Sequence, residues 1–118
     1  MPKKKKGRPV AKILLVIVLI AVVSVGVVAW HDGLIGLTSI NDINDGLVAA
    51  GTAVTIKGEV TIILGNLLTV NDGANFVGFV WNGPAQLNSI VVVRGIVSSI
   101  ITLQNVTSVD IVWIFTDY

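Results

Sequence analysis

The stretch "VTIKGEVT", which begins at Val54, decides the fold because it returns later as "VVVRGIVS", which begins at Val91. Both copies contain alternating aliphatic residues, a cation, a glycine and a final hydroxyl residue, a pattern typical of β-strands. A glycine inside a long strand weakens the strand unless a bend or bulge is needed there. We therefore predict that Gly58 and Gly95 mark bends in two long strands.

Short β-rich runs surround both copies, and turn signals such as "NDGA" and "NGPAQLN" separate the runs. We expect strands in residues 53–64, 66–70, 75–81 and 89–100, and a fifth β-rich stretch made of residues 101–106 together with 108–115. Two bent hairpins, a middle strand between them and a Pro-containing link describe a small five-stranded OB-fold barrel. The predicted fold class is therefore all-β, with the barrel in residues 40–118.

The barrel is expected to begin at "INDINDGLVAAG", residues 40–51. An EF-type calcium loop is disfavoured here because Ile43 occupies a position that needs an oxygen ligand. Ile40 and Ile43 instead fit a short turn that plugs the edge of the barrel with apolar side chains. Asp42 and Asp45 would cap this turn and direct the chain into the first strand.

The stretches "INDINDGLVAAGTAVTIKGEVTIILGNLLTVNDGANFVGFVWNG" and "IVVVRGIVSSIITLQNVTSVDI" also carry a family resemblance. They resemble the OB-fold domains of archaeal membrane-associated proteins and those appended to secreted bacterial nucleases. The resemblance covers about residues 40–111. It implies the fold but no ligand, since the shared positions are mostly strand, turn and core residues.

The N-terminal segment "ILLVIVLIAVVSVGVVAW", residues 13–30, contains no charged residue. Eighteen residues of helix span about 27 Å, close to the thickness of the hydrocarbon core, so we predict one transmembrane helix. Six cations lie in residues 1–12 and predict a cytoplasmic tail by the positive-inside rule. With a linker at 31–39, the chain is predicted to be a single-pass protein of the cell membrane. Its barrel would be extracytoplasmic.

Two other interpretations of this segment stay open. The small residues of "VVA", residues 27–29, fit the cleavage site of a secretory signal. The stretch "KKKKGRPVAKILLVIVLIAVV" is similar to the leader of archaeal type IV pilin-like proteins, which a peptidase cuts after a basic residue and a glycine. The latter resemblance implies a structural subunit of a surface filament or envelope complex.

The charge balance disfavours nucleic acid as a partner. After Trp30, two cations stand against seven carboxylates, which gives this region a net charge of −5. OB folds often bind single strands on a basic groove, and an acidic domain repels the phosphate backbone. Binding of single-stranded nucleic acid stays an alternative that an experiment can test.

Few residues are suited to chemistry. The chain has no Cys, and its one histidine, His31, is expected to be a solvated linker residue. Thiolate sites and multi-His metal sites within the chain are thereby excluded. We predict no enzymatic activity, no catalytic or metal-binding residue and no cofactor.

The surplus of apolar strand residues predicts a protein partner or self-association as the role of the domain. Trp81, next to "NGP" at a strand end, is expected to be its most exposed ring, whereas Phe79 and Trp113 are expected in the core. Lys57 and Arg94 are cations at equivalent points of the repeat. They would bind an anion or a partner, or they would simply face solvent. The candidate contacts are Trp81, Lys57, Arg94 and Phe76.

One modification signal is present. "NVT" at Asn105 is the chain's Asn-x-Ser/Thr sequon, and it lies in a predicted turn outside the membrane. Asn105 is therefore a candidate glycosylation site.

Overall fold

The computed structural model describes residues 2–118, with side chains described from Val10 onward. Two helices precede five strands. Their bounds are α1 Pro2–His31, α2 Ile40–Asn44, β1 Ala53–Leu64, β2 Leu67–Asn71, β3 Phe76–Val80, β4 Ile90–Val97 and β5 Leu103–Ile111.

The long helix α1 is the most apolar element. Its stretch Val10–His31 has a mean hydropathy of 3.1 in its most apolar window, and none of that window is buried by the rest of the chain. By length and composition it can cross a membrane. Because α1 accounts for 30 of the 118 residues, the fold is α+β, and the predicted all-β class is too narrow.

The five strands close into a barrel in the order β1-β2-β3-β5-β4. Every neighbouring pair is antiparallel except β3 and β5, which run parallel and meet at Phe79 and Leu103. This mixed five-stranded barrel resembles an OB fold, as predicted. The two copies of the repeat are neighbours in it, since β1 pairs with β4 so that Lys57 faces Val92.

The two strand glycines serve the bending of the barrel in different ways. The β4–β5 register shifts between Arg94 and Ile96, so Gly95, which was predicted to mark a bend, lies at a β-bulge. The shift between β1 and β2 comes two residues after Gly58, starting at Val60. At Gly58 itself a Cβ atom would lie 2.5 Å from the carbonyl oxygen of Asn71. Glycine is therefore needed there for the close approach of β2.

The core fills the barrel with aliphatic side chains and one aromatic ring. Ile40 and Ile43 of α2 are buried in it, which confirms the predicted apolar plug. Phe79 is buried as predicted. The cluster consists of Ile40, Ile43, Val54, Ile56, Val60, Leu68, Val70, Val77, Phe79, Val91, Val93, Val97 and Leu103.

The C-terminal part departs from the prediction in two respects. The expected β-rich stretch made of 101–106 and 108–115 is one continuous strand, β5, which ends at Ile111. Asn105 therefore lies inside β5, exposed and with a φ of 49°, and the predicted turn is wrong. Trp113 lies beyond the sheet and is 60% exposed, so its predicted place in the core is also wrong.

Candidate functional site

The junction between α1 and the barrel is built around Asp32, whose side chain is completely buried. The Oδ1 atom accepts a hydrogen bond from the backbone N–H of Trp113 at 2.8 Å. The Oδ2 atom accepts two more, from Ile114 and Phe115, both at 2.9 Å. One carboxylate thus holds three consecutive residues that have left the sheet. We refer to residues 30–32 and 113–115, with Lys57 and Arg94, as the junction.

His31 completes the surroundings of this carboxylate. Its Nδ1 atom lies 2.8 Å from Oδ1 of Asp32, and its ring stacks on Trp113 with centroids 3.5 Å apart and planes 6° apart. The imidazole is 13% exposed. His31 is therefore a packed part of the junction, and its predicted role as a solvated linker residue is wrong.

The ionisation of Asp32 follows from its partners. Burial acts to raise the pKa of this carboxyl, but hydrogen bonds from the N–H groups of Phe115, Trp113 and Ile114 and from His31 lower it further than burial raises it. The net result is a pKa well below the ordinary value of 3.8. Asp32 therefore carries a negative charge at any physiological pH.

Lys57 compensates part of that charge from β1. Its side chain is only 5% exposed, and its Nζ atom donates a hydrogen bond to the carbonyl oxygen of Phe115 at 2.6 Å. Burial lowers the pKa of Lys57, while the charges of Asp32 and Asp117 oppose this shift. The expectation of a solvent-facing cation is wrong, because residues 113–115 and the linker cover this face of β1.

Arg94, the second cation of the repeat, supports the same junction from β4. Its Nη2 atom donates to the carbonyl oxygen of Trp30 at 2.8 Å, and its guanidinium carbon lies 4.1 Å from the centre of the Trp30 ring. Its Nη1 atom is 3.4 Å from Oδ2 of Asp110. Both candidate cations are thus engaged with the end of α1 or with the segment that packs beside it.

A second region, on the opposite strands of the barrel, is apolar and open. Leu67 of β2, Phe76 and Gly78 of β3 and Ile101 of the β4–β5 turn line a shallow groove, together with Asn44, Thr69, Val77 and Thr102. Phe76 is 62% exposed. None of these lining side chains is charged. We call the exposed side chains of Leu67, Phe76 and Ile101 the apolar face.

The apolar face continues onto the neighbouring strands. Val80 pairs with Leu67 across β2 and β3, and Leu64 pairs with Leu67 across β1 and β2. Directly paired residues lie on the same side of a sheet, and both Val80 and Leu64 are exposed. The apolar surface therefore spans three strands.

Trp81 lies just after β3, and the expectation that it is the most exposed ring is wrong. Its ring is half-buried against the core cluster, and its Nε1 atom donates to the carbonyl oxygen of Pro84 at 3.1 Å. The "NGP" turn folds over the ring. Of the two aromatic candidates, Phe76 is the more exposed.

Four candidate contacts thus separate into different places. Lys57 and Arg94 lie at the junction, Phe76 lies on the apolar face, and Trp81 lies at the end of β3. Sequence reasoning missed Asp32, although a lone carboxylate directly after an apolar helix was a usable signal. A carboxylate directly after an apolar helix needs either water or several hydrogen-bond donors around it.

No family model and no curated protein matches the chain. A solved structure described as the S. pombe Stn1-ten1 complex is similar, with 22% sequence identity and a TM-score of 0.44. The match covers 69% of this chain and 74% of that one. The OB-like character of the barrel rests on its own strand order. The resemblance to membrane-associated and nuclease-linked OB folds stays a prediction from the residues.

Proposed function

We propose that this chain is a single-pass membrane protein whose barrel is a non-enzymatic protein-binding or assembly module outside the cytoplasm. The observation that carries the proposal is the exposed surface of α1. Twenty-two residues from Val10 to His31 are apolar enough to span a bilayer, and the barrel covers none of their most apolar window. Such a surface needs lipid or other apolar helices around it.

The charge distribution supports the orientation. Six cations lie in residues 1–12, at the N-terminal end of the span, and the region after it carries a net charge of −5. Positive residues flanking a span favour the cytoplasmic side. The barrel is accordingly assigned to the opposite side of the cell membrane.

The apolar face is the proposed binding surface. It lies on β2 and β3 beside the β4–β5 turn, the region through which OB folds bind their ligands. Nucleic-acid binding there would require cations for the phosphates. The barrel's two cations, Lys57 and Arg94, are both engaged at the junction. An uncharged, apolar face fits apolar side chains of a protein partner better.

Photo-crosslinking in host membranes tests this assignment. A photoreactive residue replaces Phe76 in the full chain, and the control carries it at Leu87, an exposed residue between β3 and β4. We expect one defined adduct from position 76 that position 87 does not give. A second substitution, Leu67→Asp, should abolish the adduct.

The mass of the adduct identifies the partner. Twice the mass of the chain shows self-association, and any other protein mass shows a distinct partner. An adduct of equal yield at both positions, or none at position 76, would contradict the proposed face. Salt-sensitive retention of single-stranded DNA or RNA by the protein would favour the nucleic-acid alternative instead.

The structural-subunit alternative draws on the same observation. In a filament or envelope complex, the α1 helices of neighbouring copies would cover one another. The mass of the mature N-terminus in the native host separates the alternatives. An intact N-terminus supports the anchor, cleavage after Gly7 supports a pilin-like subunit, and cleavage after Ala29 shows a secreted protein.

A further inference from the structure

The segment that Asp32 holds lies alongside the end of the apolar helix. Ile114 and Phe115 line a groove together with Ser24, Val25 and Val28 of α1. Val25 is five residues before Trp30, which corresponds to about 7.5 Å along a helix axis. Ile114 and Phe115 therefore lie beside the part of α1 that directly precedes Trp30.

The surroundings of this groove are apolar and open. Ile114 is 65% exposed, and Trp113, Trp30, Leu34 and Ile35 around the end of α1 are also exposed. An exposed cluster of this kind, rimmed by polar residues, marks a contact surface. Tryptophan is enriched where protein crosses the interface between lipid and water. The cluster thus has the composition of a membrane-interface contact.

Four of the six backbone polar groups of residues 113–115 have partners within the chain. The N–H groups of Trp113, Ile114 and Phe115 all donate to Asp32, and the carbonyl oxygen of Phe115 accepts from Lys57. An irregular segment enters a poorly hydrated layer only if its backbone groups have partners, because a backbone group without a hydrogen bond is strongly disfavoured there. Asp32 and Lys57 remove most of that penalty in advance.

We propose that Trp113, Ile114 and Phe115 insert into the outer interfacial layer of the bilayer that holds α1. This second membrane contact sets the orientation of the barrel on the membrane surface, with the Arg94 guanidinium beside Trp30 at the level of the lipid headgroups. The inference rests on the proposed function in one respect, since α1 must span that bilayer.

Tryptophan quenching by brominated lipid tests the contact. The full chain is reconstituted into phosphatidylcholine vesicles with and without bromine on the acyl chains. One variant, Trp30→Phe with Trp81→Phe, keeps only Trp113; the other, Trp81→Phe with Trp113→Phe, keeps only Trp30. We expect Trp113 to be quenched at least about half as strongly as Trp30, since both would lie at the interface.

The outcomes separate the two proposals. Quenching of Trp30 without quenching of Trp113 overturns the second contact and leaves the anchor in place. Absence of quenching for both overturns the anchor, and with it the proposed function. All variants carry conservative Trp→Phe changes. Circular dichroism first establishes that each variant keeps the native barrel.

A charge substitution adds a matched control. In the variant that keeps Trp113, Ile114→Glu places a carboxylate at the proposed contact, and quenching should fall by about twofold or more because a charge resists insertion. Ile100→Glu makes the same change at the β4–β5 turn, where the isoleucine is 75% exposed. Quenching should then be unchanged. An equal loss in both variants would contradict the insertion of residues 113–115.

Discussion

The carboxylate of Asp32 accepts a hydrogen bond from the backbone N–H of Phe115, a residue 83 positions later in the chain. This contact joins the end of the apolar helix to the segment that follows the last strand. With the two neighbouring N–H groups on the same carboxylate, it makes the helix and the barrel one connected unit. The position of the barrel relative to α1 therefore depends strongly on one buried side chain.

Replacing Asp32 by Asn should destabilise the junction. The amide keeps the shape of the carboxylate, but an NH2 group then occupies one of the two oxygen positions and faces backbone donors. We expect a loss of about 2–4 kcal/mol in the free energy of unfolding, since buried hydrogen bonds to a charge are lost and Lys57 loses its counter-charge. Urea unfolding of the full chain in detergent, followed by circular dichroism, measures the loss.

Asp45→Asn is the matched control, because Asp45 is exposed and lies at the end of α2. Surface changes of this kind usually alter stability by less than about 0.5 kcal/mol. Equal stability of the two variants would show that the Asp32 hydrogen bonds do not stabilise the fold.

The same carboxylate predicts acid sensitivity. Because the pKa of Asp32 is lower in the folded protein than its ordinary value of 3.8, the unfolded chain binds more protons as the pH falls below that value. The stabilisation is complete above about pH 5 and declines as the pH falls through 4 and below. Urea midpoints measured between pH 6 and pH 3 should fall more steeply for the native chain than for Asp32→Asn. Parallel curves would assign the acid sensitivity to other groups.

Arg94 and Trp30 should be energetically coupled. The guanidinium both stacks on the ring and donates to the Trp30 carbonyl oxygen. A double-mutant cycle with Arg94→Ala and Trp30→Ala isolates the side-chain part, which we expect to be about 0.5–2 kcal/mol for a cation–π contact. The hydrogen bond from Arg94 to the carbonyl oxygen of residue 30 can form with either Trp or Ala at that position, so it cancels in the cycle. A coupling of zero would mean that the stacking contributes nothing to the junction.

Gly58 should tolerate no larger residue. In Gly58→Ala the new Cβ would meet the backbone of Asn71, which cannot move without disturbing the β1–β2 pairing. We expect a loss of about 1–3 kcal/mol from overpacking. Gly78→Ala is the strand control, because its Cβ would lie 3.7 Å from the nearest atom, the carbonyl oxygen of Leu68. A smaller effect at Gly58 than at Gly78 would contradict the close packing of β1 on β2.

Local patterns predicted the features that depend on nearby residues. The ends of β1, the plug formed by Ile40 and Ile43 and an irregularity of the strand at Gly95 were all predicted from spacing and residue type. The turn signalled by "NDGA" is also present, and the side chain of Asp72 accepts hydrogen bonds there from the N–H groups of Ala74 and Asn75. Such features need only periodicity and turn chemistry.

The junction could not be predicted in this way because its partners are far apart in sequence. "VWIF" consists of β-branched and aromatic residues typical of a strand, yet the N–H groups of Trp113, Ile114 and Phe115 bond to Asp32 rather than to a neighbouring strand. Lys57 was expected either to contact an anion or a partner or to face solvent, because nothing local indicates that residues 113–115 cover it. In both cases a polar partner distant in sequence, rather than local secondary-structure propensity, determines the structure.

Membrane topology tests the central claim most directly, and the absence of native Cys makes the measurement clean. Two variants each carry one cysteine, Pro2→Cys in the basic tail and Ser99→Cys at the exposed β4–β5 turn. A membrane-impermeant maleimide is added to intact cells and to lysed cells. We predict that position 99 reacts in intact cells and that position 2 reacts only after lysis. Labelling of position 2 in intact cells with protection of position 99, or a membrane fraction without the protein, would contradict the account.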